Sequence, residues 1–372
     1  MTHPYRLIDE AAVPSPALIF FPEIIRRNIA EVIAMAGGPG RLRPHCKTHK
    51  TLELTRMQLD AGVLKHKCAT LAEAEMLAMA DAPEVLIAYP LVGPNIHRFA
   101  KLILKYPRTE FAAIADHPAM VQALSAVVSA NGLSVEVLAD INVGQDRTGI
   151  DLAGAAELVP LIARSPGLRP GGFHVYDGHN NMEHHEDREA AVRALLTPVL
   201  TLRAKLEKAG YPVPRIVCGG TPSFPIYAAI KDVPGLECSP GTYVLHDFGY
   251  GSKYADLGAV MPAAVLLTRV ISKPTANRVT LDLGTKAVAS DPPAGKRVQL
   301  LDFAPHTPVG HNEEHYIVET AHADRYQPGD VVYAIPAHIC PTVALHKEAL
   351  IAEQGLIVGS WPIIARDRVL TV

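Results

Sequence analysis

The sequence predicts an α/β protein with an appended β domain, and three observations carry that expectation. From Pro16 to about Gly241, short apolar runs alternate with longer stretches whose apolar residues recur at three- and four-residue spacing. That alternation is the signature of parallel strands joined by crossover helices. After about Leu257 the helical period fades into short β-like runs broken by Pro, Gly and Asn. The 372 residues suffice for about two domains and for a core that needs no disulfides.

Taken in order, the apolar runs are Ala17–Phe21, Leu42–Lys47, Lys65–Thr70, Glu84–Pro90, Glu110–Asp116, Ser134–Asn142, Gly171–Tyr176 and Arg215–Gly219. Between them Thr51–Ala61, Leu71–Met79, Ile96–Tyr106, Ala119–Ala130, Ala153–Ala163 and Arg188–Ala209 read as helices. Eight such runs fit a closed (β/α)8 barrel as well as an open doubly wound sheet. The lack of a GxGxxG sequence after the first run argues against a dinucleotide-binding sheet. In the C-terminal part, Val260–Ser272, Arg278–Leu283, Arg297–Leu301, Tyr316–Glu319, Asp330–Ile335 and Leu356–Val358 read as strands.

Composition narrows the function classes. A net charge of -3 and the absence of a Lys/Arg-rich run argue against nucleic acid as a partner. No apolar stretch reaches the length of a membrane span. The N-terminal MTHPYRLIDEAAVP lacks the basic-then-apolar layout of a secretion signal, so a cytoplasmic location is expected. Five scattered cysteines suit reduced thiols rather than a disulfide framework. Seventeen histidines are a surplus that hints at chemistry.

Three clusters could carry that chemistry. Arg43-Pro-His-Cys-Lys-Thr-His-Lys50 ends the second apolar run, so Lys47 would sit at the C-terminal end of a strand, where barrel enzymes place their sites. Partial desolvation there makes a lysine a nucleophile toward a carbonyl. Gly219-Gly-Thr-Pro-Ser223 and Ser239-Pro-Gly-Thr-Tyr243 are Gly- and hydroxyl-rich turns of the kind that present backbone N–H groups to a phosphate. In Ala337-His-Ile-Cys-Pro-Thr342, an extended backbone would turn His338 and Cys340 to one side as imidazole and thiolate ligands. Arg147 lies in a loop after a strand, and Tyr176-Asp-Gly-His179 ends another. Glu313-Glu-His315 and Asp282-Leu-Gly-Thr-Lys286 read as an ordinary structural ion pair.

With these residues assembled, the sequence resembles the D-threonine aldolase and D-serine dehydratase group, pyridoxal-phosphate enzymes built on an alanine-racemase-type barrel. Carrying the resemblance are Arg43–Lys50, Cys218-Gly-Gly-Thr-Pro222, Pro240-Gly-Thr-Tyr243, Glu313-Glu-His315 and His338-Ile-Cys340. It implies a (β/α)8 barrel over 16–256 and a β domain formed by 1–15 with 257–372. It also implies a homodimer whose active sites lie between one chain's barrel and the partner's β domain. By position, Lys47 is similar to the lysine that forms the internal aldimine. Arg147 resembles the arginine on the cofactor's phenolic oxygen, and Tyr176 the residue beside the pyridine ring. Gly220, Thr221, Gly241 and Thr242 match the phosphate-holding turns, and His338 with Cys340 the metal pair (Zn, Mn or Mg).

The resemblance implies cleavage of Cα–Cβ in a D-β-hydroxy-α-amino acid, giving glycine and an aldehyde. The alternative is β-elimination from D-serine or D-3-hydroxyaspartate to a 2-oxo acid and ammonia. His-x-Cys at the metal pair is the dehydratase pattern, whereas Pro341-Thr-Val-Ala-Leu345 resembles the aldolase branch. Met182 falls where the aldolases carry a base histidine, with His179 and His184 nearby, and His179 is the candidate base. A racemase would need a second acid/base on the opposite face of the cofactor, and none is identified. A non-enzymatic pyridoxal-phosphate carrier would leave the β domain, with His338 and Cys340, unexplained.

Overall fold

The computed structural model describes residues 3–372, and the chain divides into two units. One holds the N-terminal residues through Glu31, Thr48–Thr51 and Thr242–Arg366; the other holds Val32–Lys47, Leu52–Gly241 and Asp367–Val372. The first strand, β1 (Ala17–Phe20), departs from expectation. Rather than opening the barrel, it pairs antiparallel with Ala264–Ser272 and parallel with Glu348–Glu353, in the sheet of the first unit. A short apolar run reads the same in a parallel barrel and in the middle of a mixed sheet, because both bury it on two faces.

In the second unit, seven parallel strands follow one another among the described residues: β2 (Lys65–Cys68), β3 (Glu84–Ile87), β4 (Glu110–Ala115), β5 (Val135–Ile141), β6 (Leu168–Val175), β7 (Ile216–Cys218) and β8 (Leu236–Cys238). The eighth position belongs to residues 42–45. Leu42 bridges Cys238 on one edge strand and His45 bridges Lys67 on the other. The Arg43 amide donates to the Cys238 carbonyl at 2.8 Å, and the Lys67 amide to that of Pro44 at 2.8 Å. Pro44 has no N–H to give, which keeps this segment from forming a regular ladder.

The crossover helices match the sequence periodicity closely. Leu71–Met79 has the expected bounds, Pro118–Ala130 begins one residue early, and His185–Lys208 starts three before the expected Arg188. Thr70 caps the first of these by accepting the Glu73 amide, satisfying one of the orphan donors of the first turn. Leu86, Ala112, Ile114, Leu138 and Val217 fill the barrel. At its N-terminal end Arg43, 1 % exposed, is held between Glu237 at 2.5 Å and Glu84 at 2.8 Å. A buried guanidinium is tolerated only with such partners.

The first unit continues with β9 (Ala264–Ser272), β10 (Arg278–Leu281), β11 (Val298–Leu301), β12 (Thr307–His311), β13 (Tyr316–Glu319), β14 (Val331–Pro336), β15 (Glu348–Glu353) and β16 (Leu356–Pro362). The strand order is β12-β13-β10-β9-β1-β15-β16, with β14 and then β11 also joined through β9. Tyr5, Ile19, Val265, Leu267, Tyr333 and Ile335 form its core. Lys286 bonds Glu313 at 2.8 Å and Glu314 at 3.3 Å on the surface, the structural ion pair expected for those two motifs. No helix among the described residues is long and apolar enough to cross a membrane.

Candidate active site

The residues singled out from sequence fall into two groups, one in each unit. In the barrel unit the centre is Tyr176, directly after β6. Three basic side chains surround its ring. The Arg147 guanidinium carbon lies 4.7 Å from the ring centroid, the Lys67 amine 5.7 Å and the Lys47 amine 6.0 Å. All three distances are within the reach of cation–π attraction for a charged group. Lys47 sits in a short 3-10 turn, Cys46–Thr48, at the end of the barrel-closing segment, and is half-buried.

Beneath this ring lies a polar chain that the sequence reading did not find. Asp140 on β5 bonds His174 Nδ1 on β6 at 2.6 Å, and His174 Nε2 lies 3.5 Å from the Lys67 amine on β2. Burial pushes the His174 imidazole down, so it is neutral, donating from Nδ1 to Asp140 and accepting at Nε2 from Lys67. Burial would raise the Asp140 carboxyl, but His174, Thr148 and Lys67 outweigh it and hold it below its usual range. Burial, with the Lys47 charge in second place, brings the Lys67 amine down to about 7. A signal was present: Lys65-His-Lys67 puts three polar side chains in a parallel barrel strand, where both faces are ordinarily apolar.

The two Gly-rich turns follow β7 and β8. Gly219 has φ +74, and a Cβ there would press on the Tyr227 ring at 2.7 Å, so only glycine fits. The Gly220 amide donates to Ser223 Oγ at 3.3 Å, and Ser223 in turn donates to buried Asp177 at 2.8 Å. Asp177, raised by burial despite its bonds from Ser223, Asn180 and Tyr227, thus anchors the turn rather than facing the ring. The Gly241 amide donates to Thr221 Oγ1 at 3.2 Å, tying the second turn to the first.

In the other unit, the segment carrying His338 and Cys340 is not extended as expected. β14 ends at Pro336, and His338 is the N-cap of a helix, Ile339–Leu345, with Cys340 in its first turn. The side chains still meet. Burial alone would lower the His338 imidazole, but the Cys340 sulfur and the Asp291 carboxylate raise it to about 9. Asp291 bonds His338 Nδ1 at 2.5 Å, leaving Nε2 for a ligand. Cys340 Sγ lies 3.1 Å from Thr48 Oγ1 and 3.6 Å from Thr242 Oγ1, the residues that follow Lys47 and Gly241 in the chain. Asp291 was not legible from sequence, being 47 positions from its partner.

His179 is exposed on the loop after β6, with its ring beside Gly144, and its side chain makes no hydrogen bond among the described residues. It is the one sequence candidate without a contact to the others. The remaining donor set has a clear chemistry. Three basic side chains on an aromatic face, with the turn Gly219–Ser223 and the Gly241 amide in the same unit, suit a planar anionic ligand with a phosphate and a carbonyl. Imidazole, thiolate and a supporting carboxylate suit a borderline divalent cation.

Comparison with known proteins bears on both groups. Residues 22–243 match the family model "Alanine racemase, N-terminal domain", and residues 263–352 match "Putative serine dehydratase domain". The chain is 28 % identical to a D-threonine aldolase of Arthrobacter sp over 96 % of its length and 93 % of that protein's. It is 27 % identical to a 3-hydroxy-D-aspartate aldolase of Paracoccus denitrificans, covering 97 % and 94 %. The crystal structure of D-threonine aldolase from Filomicrobium marinum superposes with a TM-score of 0.87 at 25 % identity, covering 98 % of this chain and 99 % of that one.

Proposed function

Because the chain belongs to the alanine racemase N-terminal domain family, we propose that it is a pyridoxal-phosphate- and divalent-metal-dependent lyase of D-β-hydroxy-α-amino acids. Its reaction on this reading is that of a D-threonine aldolase, yielding glycine and an aldehyde. The observation that carries the reading is Lys47 at the Tyr176 face with Arg147 and Lys67, above a glycine turn locked by Asp177. An amine nucleophile and an anion cradle are what this cofactor needs.

Lys47 would hold the cofactor covalently through its amine and afterwards move protons at the substrate's α-carbon. Tyr176 packs on one ring face, and Arg147 offers a guanidinium to an anionic ring oxygen. Gly220, Thr221, Gly241 and Thr242 supply amides and hydroxyls for the phosphate. Bound pyridoxal phosphate supplies an electron sink for the charge that develops at Cα. His338 and Cys340 would hold the divalent ion (Zn, Mn or Mg), which when bound supplies a Lewis acid toward the substrate's β-hydroxyl. His179 is proposed as the base that accepts the hydroxyl proton at its imidazole nitrogen. The division expected at 16–256 and 1–15 with 257–372, with β1 (Ala17–Phe20) moved to the β part by its pairing, assigns the cofactor to the barrel part and the metal to the β part.

A second reading, β-elimination to a 2-oxo acid and ammonia, is favoured by one specific observation: a cysteine rather than a carboxylate at position 340. Purified protein reconstituted with pyridoxal phosphate and Mn²⁺ or Zn²⁺ is offered D-threonine and D-serine. Glycine and acetaldehyde from D-threonine are the expected products, and 2-oxo acid plus ammonia in their place would convert the assignment to dehydratase. We further propose a cytoplasmic homodimer with shared active sites, to be checked as twice the chain mass by sedimentation equilibrium.

Asp291 gives a sharper test of the metal pair. With His338 Nδ1 released from its carboxylate, the ring loses a fixed orientation, so Asp291→Asn should weaken metal binding by roughly 10- to 100-fold. Calorimetric titration of Zn²⁺ into the metal-stripped protein reads this directly, and unchanged affinity would remove Asp291 from the site.

A further inference from the structure

Lys67 is an unusual residue even for an enzyme interior. It lies in a parallel strand, is 2 % exposed, and has His174 Nε2 at 3.5 Å as its single hydrogen-bond acceptor among the described residues. An ammonium carries three donors, and leaving them unmet in a buried place is costly.

The anions that could answer it are engaged elsewhere. Asp140 on β5 is bonded to His174, and Asp177 after β6 to Ser223, Asn180 and Tyr227. Cys218 on β7 is a thiol, since burial raises it well above its ordinary value. The other groups facing Lys67 or its partner are the cations Lys47 and Arg147, with Tyr176 between them. A buried amine bordered by two cations, with its nearby carboxylates bonded to other groups, lacks an anion within hydrogen-bond reach.

We propose that Lys67 is a reserve cation of this site, neutral while no anion lies beside Tyr176, Lys47 and Arg147, and protonated from solvent when the anionic cofactor enters. The inference rests on the reading that pyridoxal phosphate binds at Lys47. The change is one N–H bond formed on the Lys67 amine with a proton drawn from water. His174, held by Asp140, keeps accepting from the amine in either state and fixes its direction. Lys67 is therefore a positioning residue for charge, and its effect is a proton count.

The sign follows from the free-site value near 7. Below it Lys67 is charged with or without cofactor. Between about 7 and the ordinary lysine value near 10.4, cofactor binding draws a proton in.

Cofactor-free protein is titrated with pyridoxal phosphate at pH 8.5 by calorimetry in two buffers of different ionisation heat, giving protons taken up per cofactor. Wild type should take up about 0.5 to 1 proton more than Lys67→Arg, which stays charged throughout, and the gap should close at pH 6. Lys67→Met, as a second variant should arginine not fit, should also lack the extra uptake while binding cofactor at least about tenfold more weakly at pH 6. Equal uptake in wild type and a variant that binds cofactor would overturn the proposal. No visible-edge absorbance band in wild type would instead overturn the Lys47 reading on which it rests.

Discussion

Replacing Lys47 with alanine is expected to abolish the visible-edge absorbance band of the reconstituted protein and to lower kcat/KM by on the order of 10³-fold or more. Two features set that magnitude. Lys47 is the half-buried amine at the mouth of the barrel-closing turn, accessible to an aldehyde in a way that fully buried Lys67 is not. No neighbouring group can replace it, since Arg147 cannot act as a nucleophile at accessible pH. The fold should scarcely notice, because a partly exposed side chain in a single 3-10 turn contributes within about 0.5 kcal/mol. Borohydride reduction followed by peptide mapping should find the cofactor on Lys47 in wild type. A band that survives in Lys47→Ala, with the label on another lysine, would sink the assignment.

The second large effect concerns the metal pair. Stripping the protein with a chelator should lower activity by more than about 100-fold, and Mn²⁺ or Zn²⁺ should restore it. His338→Ala should show the same loss without rescue. The reasoning is local: Asp291 fixes His338 by Nδ1, and Cys340 stands beside it in the first turn of Ile339–Leu345. With one of two protein ligands gone, what remains is a lone thiolate. Full activity in exhaustively stripped protein, confirmed metal-free by elemental analysis, would exclude the role.

Much of this was legible because the sequence repeats its signals. The helix Leu71–Met79 announces itself by the three- and four-residue spacing of its apolar residues, and its bounds match. The barrel's count of eight was expected, but its membership was not. Ala17–Phe20 has the apolar texture of a barrel strand and belongs elsewhere, whereas Leu236–Cys238 is only three residues long and carries Glu237 in its middle. That glutamate bonds Arg43 and Lys65, partners that no local pattern connects to it. The same limit hid Asp140, His174 and Lys67. Each is an ordinary polar residue until the barrel curvature brings three separate strands within hydrogen-bond reach. Motif residues with a fixed spacing, such as His338 and Cys340, could be named even though their backbone was misjudged: N-cap and first turn keep the two side chains adjacent as an extended pair would.

The placement of β1 has a consequence for how the protein is made. Ile19 leaves the ribosome about 330 positions ahead of its parallel partner Leu350. At 5–20 residues per second, the strand waits roughly 15–65 s for that neighbour. Even after Ala264–Ser272 has covered its other side, the edge of this apolar strand that awaits Leu350 keeps unmet N–H and C=O groups open to other nascent chains. Production should therefore respond to translation speed and to chaperone supply, and its vulnerability lies in Ala17–Phe20 rather than in the barrel made between that strand and Leu350.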